Sequence, residues 1–388
     1  MERIVIVGGG LAGAMAARAL REHGYVGSIV LVCGEPHLPY DRPPLSKAVL
    51  TGAQSASTLE VDYDGLGVDL LVGHRATALR DGVLETDGGG AIDVERLVIA
   101  TGSVPITLPG TPYGVVTLRT IEDSLALRER TKPGAHVVVV GAGFIGAEVA
   151  TAARAAGCEV TVIEAQSTPL ATTLGTQVGA MTVPWYAESG IDLKTETAVA
   201  AVEPDAVHLA DGTMLAADVV VLGLGARPDT DWLADSGLDL SNRAVVTNER
   251  LATAMPGIYA VGDCAAFPSR RYGVTMRVEH WDNALHAPSV VAANLVGEDA
   301  TWDPVPYVWS EQFGRYLQYA GYHANADEIV TRGDATVCWL QNSRLVAIFA
   351  IDRPRDFTQG RKLIEAGTPV DAALLADPDV PVRAAASS

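Results

Sequence analysis

The chain has 388 residues, 48% of them hydrophobic, enough for two or three domains with cores of their own. No apolar run approaches the ~18 residues of a membrane span, and a net charge of −19, from 28 basic and 47 acidic residues, repels nucleic acid and anionic membrane surfaces. Cys33, Cys158, Cys264 and Cys338 form no CxxC pair and the eight histidines show no metal-ligand spacing, so the composition predicts a cytoplasmic protein with buried thiols, no redox dithiol and no metal.

The apolar run Ile4-Val-Ile-Val7 begins so close to Met1 that no signal peptide is expected, and it leads directly into Gly8-Gly-Gly10-Leu-Ala12-Gly13. A glycine turn between a buried strand and a helix is a phosphate-binding signature. The first glycine allows the tight turn, the second lets backbone approach a pyrophosphate, and the third lets helix pack on strand. The helix N-terminus then offers free N–H groups to the phosphates. A helix over about 11–23 and a strand over 28–32 complete a βαβ unit, and Glu35 follows at the position that accepts the ribose hydroxyls of an adenosine. Pro39-Tyr-Asp-Arg42-Pro-Pro-Leu-Ser-Lys47 breaks regular structure with three prolines. It reads either as a solvated surface loop or as a segment that brings Arg42 to a pyrophosphate and Lys47 to an electron-accepting ring.

A short strand runs into Ala100-Thr101-Gly102, and Pro105, Pro109 and Pro112 mark a linker. A second nucleotide unit begins at about 113. Its turn is Gly141-Ala-Gly143-Phe144-Ile145-Gly146 after Val137-Val-Val-Val140, and its acidic residue is Glu164, at the end of Val160-Thr-Val-Ile. Glu164 can bond a free 2′-hydroxyl and repels a 2′-phosphate, and no basic residue lies between it and Lys194 to offset this, so NADH is favoured over NADPH. Two such turns on one chain imply two dinucleotides, the arrangement of a flavin enzyme that takes electrons from a nicotinamide.

Val219–Ala226 repeats the plan of 98–102, and Gly257–Val261 is a strand ending in Gly262-Asp263, where a carboxylate can meet a ribitol hydroxyl. From about 305 the pattern changes to alternating strands, a separate α+β unit, and the tail from Asp377 reads as frayed.

These residues together resemble the FAD-dependent, NADH-dependent ferredoxin reductases of bacterial oxygenase systems and the related apoptosis-inducing-factor flavoproteins. The resemblance covers almost the whole chain. It is carried by the Pro39–Lys47 segment, Ala100-Thr101-Gly102, Leu118-Arg119-Thr120, the second turn through Glu148, Gly262-Asp263, Glu279-His280-Trp281 and Pro306-Tyr-Val-Trp309-Ser310. It implies two Rossmann-like α/β domains and a C-terminal α+β domain: an FAD-binding domain over 1–112 and 241–308, an NADH-binding domain over 113–240, and the C-terminal domain over 309–388.

By the same resemblance Gly8, Gly10, Ala12 and Gly13 would cradle the FAD pyrophosphate and Glu35 would hold its ribose. Ala76 would lend backbone to the adenine. Arg42, Lys47, Thr101, Gly102, Arg119 and Asp263 would contact the phosphates, ribitol or isoalloxazine, and Trp281 and Trp309 would line the flavin pocket. The NADH side would use Gly141, Gly143, Phe144, Ile145, Gly146, Glu148, Glu164, Gly225 and Glu279. Lys47 and Glu148 would form the catalytic pair.

The chain departs from the family at Cys33-Gly34-Glu35, where Gly-Asp-Glu is usual, and at His286-Ala-Pro288-Ser289, where a Gln and an Arg are usual. The segment after Glu164 also lacks the usual arginines. The resemblance implies electron transfer from NADH to a 2Fe–2S ferredoxin serving a haem monooxygenase or a ring-hydroxylating oxygenase. A reductase of a small acceptor such as a quinone, or a slow NADH-sensing flavoprotein, are the alternatives. An acidic ferredoxin would need a local basic patch, with candidates Arg42, Lys47, Arg270, Arg271, Arg277, Arg315, Arg353, Arg355, Arg361 and Lys362.

Overall fold

The structure, a computed structural model, describes residues 2–387. Two compact units are present. The first comprises Met1–Asp41, Ala56–Val104 and Ala226–Pro306; the second comprises Arg42–Ser55, Pro105–Gly225 and Tyr307–Ser388.

In the first unit, strand β1 (Ile4–Val7) runs into helix α1 (Leu11–Glu22). β1 sits at the centre of a five-stranded parallel sheet, between Ile29–Cys33 and Arg96–Ile99, with Val68–Val72 and Ile258–Ala260 at the edges. Its four residues are all buried, which is why the run is continuously apolar instead of alternating: a parallel strand is covered on both faces. A three-stranded antiparallel sheet, Ala76–Arg80, Val83–Thr86 and Ala91–Asp93, lies beside this core, with Leu79 and Leu84 packed into it.

In the second unit, β2 (His136–Val140) and α2 (Phe144–Ala155) repeat the plan. β2 pairs in parallel with Glu159–Ile163 and Val219–Leu222. Residues from Tyr307 onward form a five-stranded antiparallel sheet that starts with β3 (Tyr307–Gln312). Helix Ala171–Glu188 packs on this sheet through Leu174, Val178 and Trp185 against Tyr319, Val337, Trp339 and Phe349. No helix among the described residues is long and apolar enough to cross a membrane.

The structure removes one of two open readings and revises another. The proline-rich segment is no solvated loop. Pro43–Ser46 forms a 3-10 turn with Leu45 and Ser46 buried, and helix Ile121–Arg130 clasps it: Ser124 Oγ donates to Leu45 O at 2.7 Å and Arg128 Nη1 to Val49 O at 3.2 Å. The tail is not frayed either. Arg332, buried at the end of the strand Glu328–Arg332, pairs with Asp356 at 2.9 Å and donates to the carbonyls of Leu375, Asp377, Pro378 and Val380. Ser387 N closes the tail onto Pro369 O at 2.8 Å.

Removing a buried cation from its partners leaves several unsatisfied acceptors. Arg332→Met is therefore expected to destabilise the second unit by roughly 3 kcal/mol in denaturant unfolding. Limited proteolysis should then cut first in the segment after Asp377.

Candidate functional site

The two glycine turns have the same local geometry. Gly8 and Gly141 take φ of 123° and 104°, in the left-handed range that glycine tolerates. A Cβ on Gly8 would overlap Ala100 O, and one on Gly141 would overlap Gly223 O. A Cβ on Gly13 or Gly146 would overlap the carbonyl oxygen of the first glycine in its own turn. The middle glycines differ: around Gly10 and Gly143 a Cβ would meet nothing within 4 Å. Backbone there is open on the side where a ligand would approach. Gly10 and Gly143 are also the N-caps of α1 and α2. Neither helix end has a side-chain cap or an acidic residue in its first turn, so the N–H groups and the positive end of each dipole are left for an anion. Both cradles fit a pyrophosphate.

In the first unit Glu35, just past its strand, accepts from the Tyr40 hydroxyl, and Ala76 opens the strand Ala76–Arg80. Thr101 Oγ1 donates to Asp229 O at 2.7 Å, Gly102 O accepts from Asp229 N at 3.0 Å, and Ser103 Oγ donates to Asp263 Oδ2 at 2.7 Å. Gly262, with φ of 80°, comes so close to α1 that a Cβ on it would lie 3.2 Å from Ala12 Cβ, which sets Asp263 beside the first phosphate turn. Trp281 begins the helix Trp281–Leu295 and donates its indole N–H to Asp41 Oδ1 at 2.7 Å. Burial lowers the His280 pKa below its ordinary value of 6.5, while the charges of Asp263 and Asp282 pull the other way. Glu279, assigned to the NADH side, belongs to this first unit and is ion-paired with Arg277.

The second unit gathers the rest. Arg42 Nη1 donates to Arg119 O at 2.6 Å, and Arg119 N donates to Asp123 Oδ2 at 2.9 Å. Glu164 turns back onto its own phosphate turn, accepting from Ala142 N and Gln166 N, each at 2.8 Å. Phe144 and Ile145 form the first turn of α2, Ile145 exposed, and Gly225 has φ of 95°. Trp309 stacks on Tyr307 with ring centroids 5.9 Å apart and planes 24° from parallel.

Lys47 and Glu148, 101 residues apart in sequence, meet at 2.6 Å from Nζ to Oε2. Glu148 is buried and receives two further donors, Ser46 Oγ on Oε2 and Ser310 Oγ on Oε1 at 2.5 Å. Ser46, Ser310 and Gln312 were not among the residues expected in the site. Two of them lie inside segments already singled out, Ser46 next to Lys47 and Ser310 next to Trp309.

A model of the pyridine nucleotide-disulphide oxidoreductase family matches residues 2–287, and a reductase C-terminal model matches 307–386. The chain is 37% identical to the ferredoxin reductase component of chlorobenzene dioxygenase from Cupriavidus sp. (strain PS12), over 96% of this chain and 95% of that one. Among solved structures it superposes on Fdr9 with a TM-score of 0.94 at 46% identity, covering 98% and 99% of the two chains. It matches the covalent putidaredoxin reductase–putidaredoxin complex with a TM-score of 0.94 at 35% identity, covering 98% and 97%.

The glycine geometry separates folding from binding. Gly10→Ala is expected to fold normally and to lose dinucleotide affinity by about tenfold or more, because the added methyl occupies only the open face. Gly13→Ala, whose methyl meets backbone, is expected to lower the melting temperature or prevent folding. Thermal melts and cofactor titrations on both variants check this.

Proposed function

The chain belongs to the pyridine nucleotide-disulphide oxidoreductase family, with a reductase C-terminal domain, and from that premise we propose that it is an FAD-dependent NADH:ferredoxin reductase. It would pass electrons to a 2Fe–2S ferredoxin serving a haem monooxygenase or a ring-hydroxylating oxygenase in the cytoplasm. The carrying observation is the pair of Lys47 with the buried Glu148 beside the second dinucleotide turn, on a chain whose four cysteines form no disulfide. All four cysteines are free and buried. Burial pushes the thiols of Cys33 and Cys338 up to about 12 and that of Cys264 to about 11, so none of these three is a reactive thiolate at neutral pH. With no disulfide in the chain to receive them, electrons arriving here would leave to an external acceptor.

Bound FAD would supply the hydride-accepting and one-electron chemistry, and the protein would supply binding, orientation and charge. In the first unit, Gly8, Gly10, Ala12 and Gly13 would take the FAD pyrophosphate and Glu35 its ribose. Ala76, Thr101, Gly102, Asp263 and Trp281 would line the remainder. By family position Arg42, Lys47, Arg119 and Trp309 are further candidates for FAD, and Gly141, Gly143, Phe144, Ile145, Gly146, Glu164, Gly225 and Glu279 are the candidates for NADH. The functional division would be FAD binding by 1–112 and 241–308, NADH binding by 113–240 and a C-terminal domain from 309. Lys47 would place positive charge beside the ring that accepts the hydride, and Glu148 would hold Lys47 in place. Glu164, fixed against the NADH turn, would set a negative charge where a 2′-phosphate would lie.

The basic candidates for docking an acidic ferredoxin narrow in the structure. Arg270, Arg277, Arg315 and Arg361 are ion-paired with Glu249, Glu279, Glu188 and Glu365. Arg353, Arg355 and Lys362 are exposed on and beside helix Pro354–Ala366 and are the stronger candidates.

Anaerobic NADH oxidation, with and without a 2Fe–2S ferredoxin coupled to cytochrome c, tests the reading. Strong ferredoxin dependence is expected, whereas fast flavin reduction that no ferredoxin draws off would move the assignment to a small-molecule acceptor. Lys47→Met should keep FAD bound and slow flavin reduction by about 10- to 100-fold in stopped flow. Glu164→Gln should reduce the preference for NADH over NADPH by about tenfold in kcat/KM.

A further inference from the structure

Glu148 is the hub of a buried network drawn from three stretches of the second unit: the 3-10 turn Pro43–Ser46 with Lys47, helix α2, and strand β3 of the C-terminal sheet. Ser46, Glu148, Ser310 and Gln312 are all buried.

The hydrogen bonds have a direction. Gln312 Nε2 donates to Ser310 Oγ at 3.0 Å, so the Ser310 proton goes to Glu148 Oε1 at 2.5 Å. Lys47 Nζ lies 3.4 Å from Ser46 Oγ, and Ser46 donates to Glu148 Oε2, the same oxygen that Lys47 contacts. Three donors thus converge on one carboxylate, which suits an ionised, acceptor-only group. The two sides are not equivalent. Ser46 adjoins Lys47 and shares its oxygen, whereas among the described residues Ser310 alone holds the other oxygen. The terminal torsion of a glutamate is otherwise broad, so the bond from Ser310 fixes the plane in which Glu148 presents Oε2 to Lys47.

We propose that Ser310, delivered by the C-terminal sheet and oriented by Gln312, is a positioning residue for hydride transfer: it aims Glu148, and Glu148 aims the ammonium of Lys47. The inference rests on the role of Lys47 proposed above. A contact that only glued β3 to α2 would need no charge, since buried polar networks can often be replaced by apolar residues without loss of stability.

The experiment uses the FAD-loaded full chain and measures flavin reduction by NADH in stopped flow and the midpoint potential of the bound flavin. Ser310→Ala is expected to slow reduction about tenfold while the NADH concentration for half-maximal rate changes less than about twofold. It should move the flavin potential in the same direction as Lys47→Met, by less, and Ser310→Thr should restore both. On a Glu148→Gln background, Ser310→Ala should cost less than about a further twofold, because the group it aims has lost its charge. Wild-type reduction by Ser310→Ala, an unmoved potential, or a full tenfold loss added to that of Glu148→Gln would each overturn the proposal. Slow Lys47→Met with fast Ser310→Ala overturns this inference alone, and fast Lys47→Met overturns it together with the role of Lys47. If Ser310→Ala fails to hold FAD, Gln312→Leu, which keeps the serine, carries the same comparison: non-additivity with Glu148→Gln supports the proposal and wild-type reduction overturns it.

Discussion

Everything functional here depends on how closely a helix can cross the strand that feeds it. In both nucleotide units the first glycine's carbonyl oxygen fills the space a Cβ would need on the third, so α1 and α2 lie against β1 and β2 at a distance only glycine permits. That contact sets where each helix N-terminus lies, and the middle glycine leaves its backbone uncovered. One helix of the second unit is capped by its own side chains instead. Ile121–Arg130 has a capping box from Thr120 and Asp123 and two acidic residues in its first turn. The structural helix satisfies its own dipole, and the two nucleotide helices keep theirs for a ligand.

Buried charge in the second unit is spent in two ways. Arg332 is held by one carboxylate and four carbonyls, all of which belong to elements it ties together. Its role is complete within the fold. Lys47 is different. Its side chain keeps 22% exposure, while Glu148 beneath it keeps 4%. One end of the pair is locked by two serines and the other faces outward. A salt bridge built for stability alone would gain little from such asymmetry, since desolvation of the buried carboxylate offsets much of the Coulombic attraction. The carboxylate is enclosed and the ammonium is only partly covered.

The strands and turns were legible because their cause is local. Four consecutive apolar residues before GxGxxG can scarcely be other than a parallel strand entering a nucleotide helix, and the structure places Ile4–Val7 and His136–Val140 so. Lys47 and Glu148 were legible as family positions, and the coordinates add that they touch. Ser310 was not, because a bond between residues 162 apart leaves no periodicity and a serine beside a tryptophan carries no signal of its own. The tail misled for the same reason. Pro378, Pro381 and a run of alanines resemble a frayed end, and the residue that pins them, Arg332, sits in an unrelated strand. Composition left the proline-rich segment open between two readings, and the structure removes the solvated loop, since its prolines shape a 3-10 turn in which Leu45 and Ser46 are buried.

The C-terminal sheet therefore cannot be read as an appendage for partner recognition alone. Its first strand delivers Trp309 and Ser310 as neighbours on opposite faces, as strand geometry requires. Trp309 stacks on Tyr307 while Ser310 reaches Glu148. A one-residue slip in the register of this strand would exchange the two faces and withdraw the hydroxyl from the carboxylate. The register is held by six successive pairings with Arg315–Ala320. Strand pairing in the C-terminal domain thus determines the orientation of a carboxylate carried on the helix of the second nucleotide turn. That dependence gives the C-terminal sheet a physical part in placing the carboxylate of Glu148.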